Sequence, residues 1–494
     1  MLDYLTDIRD SLVTSLRERV RDQKLPKYLQ SIKFDRLRSL RDQKITFEFP
    51  ITAVIGPNGG GKSTVLGTAA CAYLDVRPSL FFAKAHIGDD AMQDWKAEYE
   101  IIDKSLKTDG VLTRTAKFHN KKWVRDNAPK RTVSYFGISR TVPASEKSIF
   151  QRIAKRGFAP QGGLTRISPE VAEKVARILG RPVERYQEGA ITDRQKFYVG
   201  ENSIGTFSEL HFGAGEASIL RMVSELEAVE NGTLVLIEEI ENGLHPVAVA
   251  KMIEYLFDLS DRKRIQVIFT THSDVATDPL PREAVWASVD GRLQQGKLSV
   301  EATRAISGRV DRKVSVFVED EFAKLWVDMI LARYLAEDAR QIGVYPLSGD
   351  TAALKVHMSH RQNPSVETKS ILIVDGDSTV QGDDGLDIRK LSGSQPESYI
   401  YNYCLDRIES AAAMLAAMCH YDVSRQSQFV EKVRSVPIST SDPHLYFNKL
   451  GVELGFISET VVKRAFITYW LNNELDEAFS IAEFVRARLL TTAT

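Results

Sequence analysis

Ile51 to Ser63 reads ITAVIGPNGGGKS, a short apolar run that opens into a glycine-rich loop and closes on Lys-Ser. Residues 56–63 fit G-x-x-x-x-G-K-[ST] at every fixed position. The spacing has a physical reason. Gly56, Gly59, Gly60 and Gly61 let the backbone curl until successive N–H groups face phosphate oxygens. Lys62 then reaches the β- and γ-phosphates, and the Ser63 hydroxyl is placed to ligate Mg²⁺. Thr64 to Ala70 suit a helix whose N-terminus faces the anion. The order strand, loop, helix predicts a site for ATP and Mg²⁺. Asn58, Gly59, Gly61, Lys62, Ser63 and Thr64 are its binding residues, with Ser63 on the metal.

Charge is balanced along the chain. Its 494 residues carry 65 Lys+Arg against 66 Asp+Glu, a net charge of −1. No global field advertises nucleic acid, so any such surface is local. An apolar share of 43% and a charged share of 27% are those of a soluble globular protein. The length leaves room for roughly two to four domains. No apolar run approaches the roughly 20 residues of a membrane span, and MLDYLTDIRDSL at the start has early acids and no signal-peptide core. Cys71, Cys404 and Cys419 form no CxxC pair, which argues against a disulfide framework and against a zinc site. The expectation is a cytoplasmic chain with no membrane partner.

Leu5, Ile8, Leu12, Leu16 and Val20 recur at helical spacing, so residues 3–22 are expected to form an amphipathic helix. Ser31–Phe34 and Lys44–Phe49 read as strands on either side of Arg-rich 36–41. Residues 75–205 are mixed. Within them Lys117–Arg131 is basic with Phe118 and Trp123 interleaved, which suits either a phosphate-tracking, base-stacking stretch or a solvated hairpin. Residues 280–312 read as a connection with a short strand or two, Gly- and Asp-rich 376–387 as a loop, and the chain from about Tyr399 as mainly helical.

Thr233–Ile237 is a continuous apolar strand that ends in Glu238-Glu239. A carboxylate at such a strand end can hold the Mg²⁺ shell, and the next can polarise the attacking water. Glu238 takes the first role and Glu239 the second. Val267–Thr270 is another strand, ending in Thr271-His272-Ser273, where His272 is placed to meet the γ-phosphate. Upstream, Phe212-Gly-Ala-Gly-Glu216 precedes a helix.

On GPNGGGKS (56–63), FGAGE (212–216), LVLIEEIENGLHP (234–246) and FTTHS (269–273) the chain resembles the ABC-type ATPase superfamily, in its SMC-like and OLD-like branch. The resemblance implies that Gly213, Gly215 and Glu216 belong to a signature motif that completes the ATP site of a second head in a homodimer, and that His272 is a switch histidine. Gly213 stands where the family more often has Ser. SMC proteins place long coiled coils between the first motif and the signature. Here about 150 residues separate them with no sustained heptads, which favours the OLD-like branch.

Val314–Val318 followed by Glu319, and Ile371–Val374 followed by Asp375-Gly-Asp377, are two further apolar strands ending in acids. Acids at the ends of neighbouring parallel strands converge at the carboxyl edge of a sheet. Glu319, Asp375 and Asp377 therefore make an oxygen site for Mg²⁺ or Mn²⁺, able to support phosphodiester cleavage. OLD-family proteins carry a TOPRIM nuclease domain after the ATPase, and these two strands resemble its acidic motifs in the right order. TOPRIM sequences usually have Gly after the first Glu and an acid four residues on, where this chain has Asp320 and Ala323. The stretch RKLSGSQPE (389–397) resembles one that follows the Asp-x-Asp in related ATPases, and a supporting lysine is implied near the C-terminus, where Lys449 and Lys463 stand.

The fold class expected is α/β: an ABC/SMC-type P-loop ATPase head, a TOPRIM-like α/β domain and a helical C-terminal region. The boundaries expected are 1–27 for an N-terminal helix, 28–290 for the ATPase domain with 75–205 as its insertion, 310–400 for the TOPRIM-like domain and 401–494 for the helices. The resemblance implies an ATPase whose nucleotide state gates a nuclease acting on DNA, or on RNA, in defence against phage. It implies a head homodimer or higher oligomer and, in some systems, a separate partner protein. The competing reading is an ATP-driven sensor or scaffold whose degenerate TOPRIM domain cuts nothing.

Overall fold

The computed structural model describes residues 8–84, 94–119, 122–147, 150–151, 160–192, 195–201, 205–289, 291–298, 302, 312–336, 338–347, 349–363, 366 and 368–490. The chain divides into two compact units, 1–300 and 301–494.

The first unit is built on a six-stranded sheet in the order 292–295, 285–289, 51–55, 266–271, 234–237, 133–136. All neighbours are parallel except the 285–289/292–295 hairpin. Ile51–Ile55, Leu234–Ile237 and Gln266–Thr271 are buried at every position. That is why each reads as an unbroken apolar or β-branched run, as strands covered on both faces do. Strand Val285–Val289, which lies in the stretch expected to be a connection, sits directly beside the P-loop strand.

A five-stranded antiparallel sheet, in the order 40–46, 27–37, 95–103, 112–119, 122–125, packs against it and shares its core. Gln266 links the two. Its side chain is fully buried, donates to Leu29 O at 2.9 Å and accepts from Leu29 N at 2.9 Å, so it pairs like a strand residue. Arg131 extends the stitch by donating to Gln266 Oε1 at 3.0 Å and to Gly232 O at 2.7 Å. Within Lys117–Arg131, strand 122–125 pairs antiparallel with 112–119. Phe118 is buried, and Trp123 lies edge-on to it at 5.6 Å with its Nε1–H on Phe82 O. Trp123 is half-buried against the core.

The inserted segment holds a four-stranded antiparallel sheet, 161–166, 187–192, 195–201 and 206–208, and helix Pro169–Leu179. That helix is started by Ser168, whose hydroxyl accepts from Val171 N at 3.2 Å, and stopped by Gly180 in the left-handed region. Helix Asp10–Arg21 forms within the expected N-terminal helix, and Leu5 lies outside the described residues.

The second unit carries a wholly parallel sheet in the order 342–346, 314–318, 369–374, 388–390. Helices 321–334 and 350–362 connect its first three strands. Helices 396–406, 408–418, 426–439, 446–453, 459–473 and 475–490 follow. They share one apolar core with the sheet and with helix Glu321–Tyr334. Trp326 and Trp470, both fully buried, meet edge-to-face at 4.9 Å in its centre. Among the described residues no helix is long and apolar enough to cross a membrane.

Candidate functional site

The glycine loop takes its shape from a residue far along the chain. Gly56 and Gly60 press so closely on Ser288 that a Cβ at either would collide with its carbonyl oxygen, and Ser288 Oγ donates to Gly60 O at 2.8 Å. Gly61, at φ 113°, starts helix Lys62–Cys71 from the left-handed side, where a side chain would be strained. Lys62 is buried and donates to the loop's own carbonyls, Gly56 O at 2.8 Å and Pro57 O at 3.1 Å. Burial lowers its pKa to about 8, against the pull of Glu239 and Glu241. A cavity of about 380 Å³ opens here, lined by Asn58, Gly59, Gly61, Lys62, Ser63, Thr64, Glu238 and Glu239, and also by Arg38, Ser39, Ile138 and Thr270. The sequence-predicted phosphate loop and acid pair thus share one cavity. A buried lysine with ammonium donors, a hydroxyl at the helix start and two carboxylates is a donor set that fits a triphosphate with Mg²⁺.

Both acids are held in place. Glu238 Oε2 accepts from the Tyr135 hydroxyl at 2.9 Å, on the strand next to Leu234–Ile237. Burial and this carboxylate push the Tyr135 pKa up, so it remains a donor. Glu239 has φ 43°, an unusual backbone state for a residue with a side chain. Three bonds enforce it. Its N–H donates to Thr270 Oγ1 at 2.9 Å, and the buried Arg140 guanidinium donates to Glu238 O and to Glu239 O, each at 2.6 Å. Burial lowers the Arg140 pKa, and the charges of Glu241, Glu239 and Glu238 oppose that shift. His272 Nε2 stands 4.0 Å from Glu239 Oε1. Glu241 fixes the turn below it by accepting from His272 N at 2.6 Å and Thr271 Oγ1 at 2.7 Å. Sequence reading missed Tyr135, Arg140, Glu241 and Ser288. Only the paired acids of Glu-Ile-Glu-Asn carried any local hint of Glu241.

Gly213, Gly215 and Glu216 stand apart from this cavity. Gly213 caps helix Ala214–Ala228, and a Cβ on Gly215 would collide with Gly243 O in the turn after the acid pair. Glu216 accepts from the Tyr186 hydroxyl at 2.6 Å and pairs with Arg181.

In the second unit, Glu319 and Asp375 come together at the carboxyl edge of the parallel sheet. Glu319 Oε1 accepts from Asp375 N at 3.0 Å. Asp375 is 8% exposed, and its Oδ1 is buried with no hydrogen-bond partner. Burial raises its pKa to about 8, and the charges of Asp320, Glu319, Glu397 and Asp377 push the same way. Glu319 is raised too, by burial first and then by Asp350, Asp320 and Asp377. Asp377 is exposed, on a turn fixed by its N–H on Ser394 O at 2.8 Å. Gly376 has no room for a Cβ against Gly393 O, so the stretch 389–397 closes onto the Asp-Gly-Asp turn. A buried carboxylate oxygen without a donor, among other carboxylates, fits an oxygen-liganded divalent cation.

Asp350, missed in the sequence, accepts from Ser378 Oγ at 2.9 Å and from the N–H and hydroxyl of Thr379 at 3.2 and 3.1 Å. These bonds, led by Ser378, hold its pKa down at about 2. Ala323 is buried in helix Glu321–Tyr334, and Asp320 Oδ1 caps that helix by accepting from Ala323 N at 2.8 Å. Lys449 donates to Ser439 O at 2.8 Å, and Lys463 pairs with Glu459 at 2.6 Å.

Comparison with known proteins bears on the first unit. Residues 104–278 match the family described as "AAA domain, putative AbiEii toxin, Type IV TA system", and residues 31–72 match an AAA domain family. No curated protein matches the chain. Among solved structures it is similar to the SMC head domain from Thermotoga maritima, at 14% identity, TM-score 0.34, covering 54% of this chain and 97% of that one. It is also similar to the Smc head domain with an extended coiled coil from Pyrococcus furiosus, bound to the C-terminal domain of ScpA, at 11% identity, TM-score 0.37, covering 57% and 98%. A third similar structure is the recombination mediator RecF with ATP, at 11% identity, TM-score 0.34, covering 55% and 99%. The match over 31–72 includes the phosphate loop and the match over 104–278 includes the acid pair, so these parts of the first unit are similar to AAA-type ATPase domains.

Proposed function

We propose that this chain hydrolyses ATP in the cavity of the first unit and cuts nucleic-acid phosphodiester bonds at the acidic edge of the second. In the first site Lys62 leaves the carbonyls of Gly56 and Pro57 to engage phosphate oxygens. Ser63 and Glu238 would hold Mg²⁺, which would offset phosphate charge when bound. Glu239 orients the attacking water and takes its proton, and His272 is placed to sense the γ-phosphate. Gly213, Gly215 and Glu216 serve the nucleotide of a second copy, making the active species at least a dimer.

Glu319, Asp375 and Asp377 would hold Mg²⁺ or Mn²⁺ in the second site, where the cation supplies Lewis-acid chemistry for phosphodiester hydrolysis when bound. The observation that carries this reading is Asp375: a buried carboxylate with one oxygen that meets no donor, backed by Glu319. The reading extends the OLD-like resemblance, with DNA as first substrate and RNA as its alternative, and with phage defence as its setting.

The test is cleavage of supercoiled and linear DNA by the full chain in Mg²⁺ or Mn²⁺, with and without ATP, beside Asp375→Asn. Metal-dependent nicking that the variant loses, with ATPase retained, supports the reading, and the ATP lanes give the sign of the coupling. A second reading, an ATP-driven sensor that cuts nothing, draws on Ala323 in place of the acid and on the commitment of one Asp320 oxygen to a helix cap. Intact DNA in every lane with normal ATPase activity selects it.

A further inference from the structure

Three side chains from three separate elements of the second unit meet beside the acidic edge. Asp320 precedes helix Glu321–Tyr334, Glu397 lies in the first turn of helix Pro396–Asp406, and His444 sits in the 3₁₀ turn Pro443–Leu445. One ligand atom from each lies within 4.8 Å of the other two. Donors on a cation at about 2.1 Å stand about 3–4 Å apart, so a small inward movement would close the set.

Glu397 makes this more than a surface cluster. It is 3% exposed, in a place where a charge is expensive unless it is fully paired. Its Oε1 accepts from His444 Nδ1 at 3.0 Å, but Oε2 is buried and meets no donor. Asp320 spends only Oδ1 on the helix cap. His444 is well exposed, which gives a route in from solvent. The bland account, two helix-start carboxylates sharing a histidine, leaves Glu397 Oε2 without a partner.

We propose that Asp320, Glu397 and His444 form a second divalent-cation site, chemically distinct from the Glu319–Asp375–Asp377 set. An imidazole among carboxylates favours a first-row transition cation over Mg²⁺ or Ca²⁺, and Mn²⁺ is the paramagnetic probe for it. The site does not depend on the second unit cutting nucleic acid, and its test reads binding alone.

Nucleotide-free full chain would be titrated with Mn²⁺ as the sole added cation and followed by pulsed EPR, which detects imidazole nitrogen coupled to the bound ion. Wild type is expected to show a nitrogen-coupled Mn²⁺. His444→Ala should lose that coupling and at least about tenfold in affinity for one ion. Because His444→Ala also takes the donor from buried Glu397 Oε1, thermal unfolding would check its fold, and the next variant tests the site independently. Glu397→Gln should weaken the same ion, and Asp377→Asn should leave the nitrogen coupling intact. No nitrogen coupling in wild type, or coupling that survives His444→Ala, overturns the proposal. Coupling lost in Asp377→Asn also overturns it, since the ion would then belong to the other set. Absent DNA cleavage with the nitrogen signal present would count against the nuclease reading only.

Discussion

Arg140 offers the sharpest test of how the ATPase cavity is held. Its guanidinium donates to Glu238 O and Glu239 O, each at 2.6 Å, and to Gly137 O at 3.1 Å. It touches backbone, so removing it leaves every phosphate-binding side chain in place. Glu239 at φ 43° carries about 1–2 kcal/mol of backbone strain, which the two bonds to its carbonyl neighbourhood offset. Hydrogen bonds from a charged donor contribute about 1.5–3 kcal/mol each, part of which water recovers in Arg140→Ala. A net loss of about 3 kcal/mol in placing Glu239 corresponds to about a 100-fold fall in kcat at 1.4 kcal/mol per decade. Nucleotide Kd should move by less than about threefold, or ~0.6 kcal/mol. Arg140→Lys should recover little, because an ammonium cannot span two carbonyls as a planar fork does. Phosphate release gives kcat, and titration with a fluorescent ATP analogue gives Kd. A kcat within threefold of wild type, or a loss of affinity as large as the loss of kcat, would refute the reasoning.

Other expectations follow from the same geometry. Gly60→Ala forces a Cβ into the Ser288 carbonyl and should abolish ATP binding and cost more than about 2 kcal/mol, whereas Gly59→Ala meets nothing within 4 Å and should cost only the ~1–2 kcal/mol of its positive φ; urea midpoints and nucleotide titration compare the pair. Tyr135→Phe removes the donor to Glu238 Oε2 and should shift the Mg²⁺ concentration for half-maximal ATPase rate several-fold, with Kd for nucleotide unchanged. In EDTA, stability should fall as pH rises toward 9. Asp375 has a folded pKa of about 8, above its unfolded value, and Glu319 is raised likewise, so the folded chain holds the extra protons. Their contribution is full at acid pH and lost as pH passes through the folded values. Asp375→Asn should flatten that slope in thermal unfolding, and Mn²⁺ added near pH 8 should stabilise wild type more than the variant, which keeps only the Asp320–Glu397–His444 site.

The phosphate loop was legible because its function is contiguous: eight residues carry the turn, the lysine and the metal hydroxyl. The acid pairs were legible for a related reason, each closing an apolar run that had to be a buried strand. What completes these sites was not. Tyr135 and Arg140 reach Glu238 and Glu239 only because strand 133–136 lies beside 234–237, an adjacency that no local pattern encodes. Asp350 was hidden because IGVYP, the strand before it, is interrupted by glycine and closed by proline. Glu397 and His444 sit in stretches whose spacing resembles no metal motif, and they meet only through the packing of the helices. In the basic hairpin the spacing of Phe118 and Trp123 did not show that Phe118 is buried and that Trp123 packs half-buried against it.

Ser288 gives the nucleotide loop a timetable. The bond from Ser288 Oγ to Gly60 O spans 228 positions. At a synthesis rate of about 5–20 residues per second, the glycine loop is made roughly 10–45 s before the residue that shapes it. Until then Gly56, Gly60 and Gly61 are an unbraced, entropically free segment, so the growing chain passes through most of its ATPase sequence without a finished ATP site. Nucleotide therefore stabilises the completed domain selectively, and a fragment cut short before Val285 carries the whole phosphate motif without the brace that forms it.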